Sequence, residues 1–277
     1  MSLLARGELD LVIGLRGERS VAAAQYHRGA LRVLRPMYLD GTGQVTYVVV
    51  NPGGAYLDGD RYRLGVTVQD GAQLLLTTQA ATKVYRTPRD RAAQDLTVRL
   101  GPGSRFDYLP DQLIAYRASR YEQETRIEMD PSASLVVAEV VTPGWSPSGA
   151  PFGYERLRLR TEVTMGGRPV ALDNLVLEPS ASRGGMAALG LLEGRSHLGS
   201  LLVVDPRAGE ETVGLARALL AERAGDLLGG VSALPVPGFA LRVLGRSTQA
   251  VDGLLLAVVN ALRAAWHGQG ALDLRKY

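Results

Sequence analysis

The chain has 277 residues, of which 46% are hydrophobic and 21% charged, and its formal net charge is +3. A chain this long buries a sizeable core, and this balance of apolar and charged residues belongs to a folded globular protein and not a disordered one. The small positive charge is a modest arginine excess without a basic tail, which argues against a nucleic-acid partner, and zero cysteines exclude disulfides and thiolate metal sites and fit a reducing cytoplasm.

No run reaches the ~18 uninterrupted apolar residues of a membrane span. The opening MSLLARGELDLVIGLRGERS lacks the basic, apolar and cleavage regions of a secretion signal, so a cytoplasmic location is expected. From about residue 8 to about residue 205 the chain reads as short strands. VTYVVVNP, AQLLLTTQ and SLVVAEVV are continuously apolar, as in strands covered on both faces. RYRLGVTVQD puts Tyr62, Leu64, Val66 and Val68 on one face, while SRYEQETRIEMD and YERLRLRTEVTM alternate with charge, as strands with one wet surface do. The turns NPGG, QDGAQ, GPGS, DPSAS and MGGRP separate these runs. The fold class is therefore mainly β, a sandwich or a sheet coiled into a helical stack.

The C-terminal part changes character. GSLLVVDP reads as a strand, and EETVGLARALLAERAGD as a helix with acids at its start and Arg223 near its end, which suits the helix dipole. VSALPVP and FALRVLG form a predicted hairpin around Gly238. A last helix follows, capped by Ser247 or Thr248, with Val251, Leu254, Leu255, Val258, Val259 and Leu262 on one face. The expected organisation is a β-rich body over 1–197 and a smaller α+β part with two helices over 198–277, packed as one unit.

Enzyme signatures are absent. His27, His197 and His267 are too far apart to form a local ligand pair, GWSPSG has the wrong spacing for a nucleophile elbow, and no phosphate-binding glycine motif stands between a strand and a helix. Asp58 and Asp60, flanking Gly59, read either as a turn or as an oxygen-lined loop for a divalent ion. Glu139 sits inside LVVAEVV, where a charge is costly unless it is paired or wet; it either faces outward on an edge strand or, facing inward, lines a water-filled cavity or meets an arginine. RTPRDRAAQ reads as a loop whose arginines are solvated or form a protein-binding rim. The stretch LLLTTQAATKVYRTPRDR passes from a buried run directly into Thr77, Thr78, Gln79, Lys83, Tyr85 and Arg86.

Three segments together, NPGGAYLDGDRYRLGVTV, LLLTTQAATKVYR and SRFDYLPDQLIAYRASRYEQET, resemble the urease accessory proteins called UreD, or UreH in some species. The resemblance is specific over about residues 8–180, and beyond that it rests on length and general pattern. It implies a mainly β fold coiled into a helical stack with two late helices. It also implies a non-enzymatic scaffold or chaperone for nickel insertion, bridging apo-urease and the helical protein UreF and, through UreF, the GTPase UreG. In the family, nickel is proposed to move through an internal polar passage. That would make Asp58, Asp60, Thr78, Gln79, Lys83, Tyr85, Arg86 and Glu139 passage-lining or partner-binding residues, with Asp60 and Glu139 where the family carries acids. Transient nickel contacts at those two, no tightly bound cofactor and no high-affinity metal site are expected. The other reading of Lys83 and Arg86 is a pairing with Asp58, Asp60 or Asp90 that only holds loops together. One departure stands in PGWSPSGAPFGYE: Trp145 replaces an expected arginine and Ala150 an expected glutamate, so roles tied to those two are not carried over. A β-rich carbohydrate-active enzyme or binding module using carboxylates is the alternative.

Overall fold

A strand that is apolar on one face must bury that face against a second layer. The computed structural model describes residues 7–181, 185–186 and 188–274. It opens with an antiparallel hairpin, β1 (Gly7–Arg16) and β2 (Arg19–Gly29), then the short β3 (Arg32–Val33) and β4 (Val45–Val50). The chain then shuttles through β5 (Arg61–Val68), β6 (Gln73–Thr78), β7 (Thr82–Val84), β8 (Ala92–Leu100), β9 (Arg105–Leu109) and β10 (Leu113–Ala115). It continues with β11 (Arg120–Met129), β12 (Ser134–Val141), β13 (Arg156–Met165) and β14 (Arg168–Leu177). The C-terminal part consists of β15 (His197–Val204), α1 (Glu210–Ala221), β16 (Leu228–Ala233), β17 (Gly238–Gly245) and α2 (Thr248–His267).

Two sheets face each other. The first runs β14-β13-β11-β8-β5-β1-β2, and the second β16-β17-β15-β12-β9-β6-β4-β3, with β7 and β10 attached beside β12. Neighbours from β1 to β13 in the first sheet and from β4 to β12 in the second are parallel. Each such pair is separated along the chain by a strand of the opposite sheet, so the body is a coil that gains one strand per sheet per turn. This is the stacked form of the two β architectures that the sequence leaves open. The antiparallel strands β15, β17 and β16 extend the second sheet, so the segment after residue 198 continues the body's own sheet.

Alternation sets what fills the space between the sheets. Tyr62, Leu64, Val66 and Val68 of β5 and Tyr121, Ile127 and Met129 of β11 all point inward and are buried. The outer face of the second sheet is apolar too, with Leu75, Leu109, Val136, Ala138 and Val140 covered by α1 and α2. This double coverage explains why SLVVAEVV lacks a polar alternation. In α2 the predicted stripe Val251, Leu254, Leu255, Val258, Val259 and Leu262 is buried throughout, each side chain contributing about 1.5–3 kcal/mol. The Ser247 side chain accepts from the Ala250 amide at 3.2 Å and caps the helix.

A buried charge cluster, unforeseen from sequence, ties α2 to the coil. Asp107 is fully buried and receives Arg105 at 2.6 and 3.1 Å, Gln44 at 2.9 Å and Arg263 of α2 at 3.4 Å. Gln269, just beyond α2, accepts from Arg105 at 2.9 Å and donates to Asp40 at 3.0 Å. Burial, followed by the charges of Arg105 and Arg207, brings His267 down to about 4, so it is neutral near pH 7.

Candidate functional site

The sheet interior is not uniformly apolar. Parallel register places Tyr62, Gln94 and Gln123 side by side on consecutive turns of the coil, all facing inward from the first sheet. Across from them the second sheet presents Tyr108 from β9 and Glu139 from β12. Register also puts Glu139 beside Ser200, and Ser200 beside Arg242. Polar tips in a low-dielectric space must pair, and these do. Tyr56 donates to Gln94 at 2.6 Å, and Tyr108 also meets Gln94. Tyr121 donates to the Gln123 carbonyl at 3.1 Å, and the Gln123 amide donates to the Glu139 carboxylate. Tyr62 donates to Asp60 at 3.2 Å, and its ring stacks on Tyr56 with centroids 3.9 Å apart.

Each end of this file opens into a cavity. The first, about 320 Å³, is lined by Asn51, Tyr56, Thr78, Gln79, Lys83 and Gln94 together with Tyr108. The second, about 220 Å³, is lined by Glu139, Thr161, Asp173, Ser200, Ser232 and Arg242. Tyr108 and Glu139 connect the two electrostatically: burial, then the nearby Glu139 charge, raises the Tyr108 phenol. Glu139 itself is pushed up to about 7, mainly by burial and further by the Asp173 charge, while the Gln123 hydrogen bond and Arg242 act in the opposite direction. Arg242 is held by an ion pair to Asp173. The carboxyl thus sits near half ionisation at neutral pH, in a site that offers Glu139, the Arg242-paired Asp173, amide and hydroxyl oxygens and no imidazole. Among the described residues no cluster of three or more His, Cys, Asp or Glu is placed to hold a metal ion.

The residues singled out in sequence divide three ways. Thr78, Gln79 and Lys83 line the first cavity, and Glu139 lines the second. Thr78 accepts from the Asp111 amide at 2.9 Å, which steadies the corner after β6. Asp60 is buried at the inner end of its turn, accepting from the Leu57 amide at 2.9 Å and from Tyr62. Asp58 faces outward as a loop clasp. It accepts from the Asp90 amide at 2.9 Å and from Arg89 at 2.7 Å, contacts that hold its carboxyl down to about 2.

Tyr85 and Arg86 lie on the outer surface, away from both cavities. Lys83 and Arg86 make no ion pair among the described residues; Arg89 takes Asp58, and Arg61 and Arg91 approach Asp90. Trp145 is half exposed and Ala150 exposed. The sequence reading missed the internal partners Tyr56, Gln94, Tyr108, Tyr121 and Gln123. Its available signal was a polar-tipped residue recurring at inward positions of strands that otherwise bury Leu and Val.

A family profile described as "UreD urease accessory protein" matches residues 5–276. The chain is 54% identical over 279 residues to a protein named "Urease accessory protein UreD" from Arthrobacter sp. (strain FB24), covering 98% of this chain and 94% of that protein. Proteins of the same name from Paenarthrobacter aurescens (strain TC1) and Staphylococcus epidermidis (strain ATCC 12228 / FDA PCI 1200) are 52% and 34% identical, each over 98% of this chain and over 95% and 98% of the relative.

Proposed function

The chain belongs to the UreD urease accessory protein family, and from that premise we propose that it serves urease maturation as a non-catalytic scaffold that helps deliver nickel to the apoenzyme in the cytoplasm. In this reading it bridges apo-urease and the accessory protein UreF and, through UreF, the GTPase UreG. The nickel ion is cargo. The observation that carries the reading is the buried file of Gln94, Tyr108, Gln123 and Glu139 between two cavities at different places on the coil. Such an interior costs stability relative to Leu and Val, and a protein of purely structural function would have no use for it.

The donor set suits an ion in transit. Nickel binds carboxylate and neutral oxygen ligands more weakly than imidazole or thiolate, so Glu139 among amides and phenols can be occupied and vacated. The proton on Glu139 competes with the metal, since a carboxyl near half ionisation at neutral pH offers a free carboxylate only part of the time. Lys83 at the first cavity disfavours a resident cation there, consistent with passage and not storage. No observation favours a carbohydrate-active enzyme: the carboxylates are engaged in loop clasps or hydrogen bonds, and the two tryptophans are too few for a sugar-stacking floor.

The test is urease activity and urease-bound nickel in cells carrying the urease subunits and the other accessory proteins, with this chain present, absent, or replaced by Gln123→Leu and Glu139→Gln variants. Loss of both activity and nickel without the chain is expected. With the variants the expected result is reduced nickel transfer with partner binding intact. Full activation in the absence of the chain would overturn the maturation role. Full activation with both variants would overturn the passage.

A further inference from the structure

Beside the two sheets, the coil carries a narrow third ladder. Tyr56 bridges Val84, β7 pairs in parallel with β10, and Tyr116 bridges Trp145. The inward side of this ladder is Tyr56, Val84 and Ala115, all buried. The next residues along each turn are Leu57, Tyr85, Tyr116 and Trp145, and they point outward in single file. Leu57, Tyr85 and Trp145 are 44%, 41% and 50% exposed. Tyr85 meets Tyr116 edge-on at 4.7 Å between ring centroids, and Tyr116 meets Trp145 at 4.9 Å. The backbone is fixed where Trp145 enters. Gly144 adopts φ +82°, and a Cβ there would lie 2.2 Å from the Ala115 carbonyl oxygen.

The flank of this row is cationic. Arg86 and Arg117 follow Tyr85 and Tyr116, are exposed, and form no ion pair among the described residues. Nearby arginines are engaged: Arg89 with Asp58, Arg91 with Glu122 and Arg120 with Glu155. Exposed aromatics beside unengaged arginines have the composition of an interface centre and not of an ordinary solvated face.

We propose that the row Leu57–Tyr85–Tyr116–Trp145 is a docking ridge for an amphipathic helix of a partner protein whose apolar stripe is bordered by Asp and Glu. The axial spacing selects the helix. Successive turns of the coil are about 4.8 Å apart, close to the ~5.4 Å pitch of an α-helix, so apolar residues at i, i+3/i+4 and i+7 stay in step with the row. An extended strand presents same-face side chains every ~6.6 Å and falls out of step by the third contact. The acidic border follows from Arg86 and Arg117: they come after Tyr85 and Tyr116 on parallel turns, so both lie along one side of the row and would receive carboxylates along one edge of the stripe.

This proposal deepens the bridging reading and rests on it. Its test is capture by the tagged full-length chain of apo-urease and of each other accessory protein, separately, with wild type, Trp145→Ser and an Arg86→Glu/Arg117→Glu double variant. Arg86 and Arg117 are exposed and Trp145 is half exposed, so both variants should stay folded, with Trp145→Ser lowering the unfolding temperature by no more than a few degrees through loss of its contact with Tyr116. Each variant should weaken capture of one component at least tenfold. Replacing the acidic border of that component's helix by lysine should restore binding to the double variant while impairing it to wild type. Capture of every component at wild-type strength by both variants would overturn the proposal. So would variants that alter only the chain's self-association, which would make a second copy the occupant. If the wild-type chain captures no component at all, the bridging reading fails and the ridge proposal fails with it.

Discussion

Replacing Glu139 by glutamine should make the protein more stable at alkaline pH and leave it unchanged at acid pH. The folded protein holds this carboxyl at about 7, against an ordinary value of 4.5. A carboxyl raised on folding contributes fully below its unfolded value, and that contribution is lost as pH rises through the folded value, because the folded state resists ionisation. The interval corresponds to about 3 kcal/mol above both values. Glu139 is only half-buried beside a cavity that admits solvent, so about 2 kcal/mol is the working figure. Glutamine keeps an oxygen to accept from Gln123 and removes the titration. The neighbouring groups that also titrate or carry charge, Tyr108, Tyr121, Asp173 and Arg242, remain in both proteins and cancel in the comparison. For a chain of this size about 2 kcal/mol is about 4 °C in Tm. Thermal unfolding at about pH 3.5 and about pH 8.5 measures it: the variant should match wild type at the lower pH, where the carboxyl is protonated in the folded and unfolded chain alike, and melt about 4 °C higher at the upper. An equal difference at both pH values, or a variant less stable at pH 8.5, would refute the assignment of Glu139 as a reluctantly ionised group.

Three other outcomes follow from the packing. Asp107→Ala leaves Arg105 and Arg263 buried without their shared carboxylate and should destabilise by about 3–5 kcal/mol, read from denaturant unfolding; a loss under 1 kcal/mol would show that water replaces the acid. Ser247→Ala removes the cap of α2 and should cost about 1 kcal/mol in the same assay, with Ser247→Gly costing less. Gly144→Ala forces a side chain onto the Ala115 carbonyl at positive φ and should cost about 1–3 kcal/mol while increasing the mobility of Trp145, visible as a change in its fluorescence anisotropy in a Trp266→Phe background.

Much of the architecture was legible because it rests on local rules. Alternation in RYRLGVTV and SRYEQETRIEM set which residues of β5 and β11 point inward, and the two C-terminal helices followed from periodicity and capping. The choice between sandwich and coil was not legible. Both bury one face of each strand, and only pairing distinguishes them, since β5 lies beside β8 and not beside β6. Resemblance to a family pointed to the coil, where periodicity alone was silent. The Asp107 cluster was invisible for a similar reason: nothing local in RFDYLP marks Asp107 as buried, and its partners Arg263 and Gln44 are remote in sequence.

Glu139 stood out in sequence because a charge inside LVVAEVV violates the pattern, and such violations mark either an error of burial or a use. Asp58 and Asp60 violate nothing, as acids beside glycine favour turns, and the structure gives Asp58 the loop-clasp geometry that this composition permits. Tyr56, Gln94, Tyr108 and Gln123 were missed because each is ordinary alone. A tyrosine at an inward position reads as core, and a glutamine on an alternating strand reads as surface. Their meaning comes from stacking: parallel register brings the polar tips of Tyr62, Gln94 and Gln123 on three successive turns into a common line, with Gly7 and Leu159 next in the same register, so a weak preference repeated on neighbouring turns becomes a buried file. The same register turns the file into a pattern that a sequence can show. When successive turns of a coil are aligned against each other, the column that is inward and repeatedly polar is the one that lines the interior.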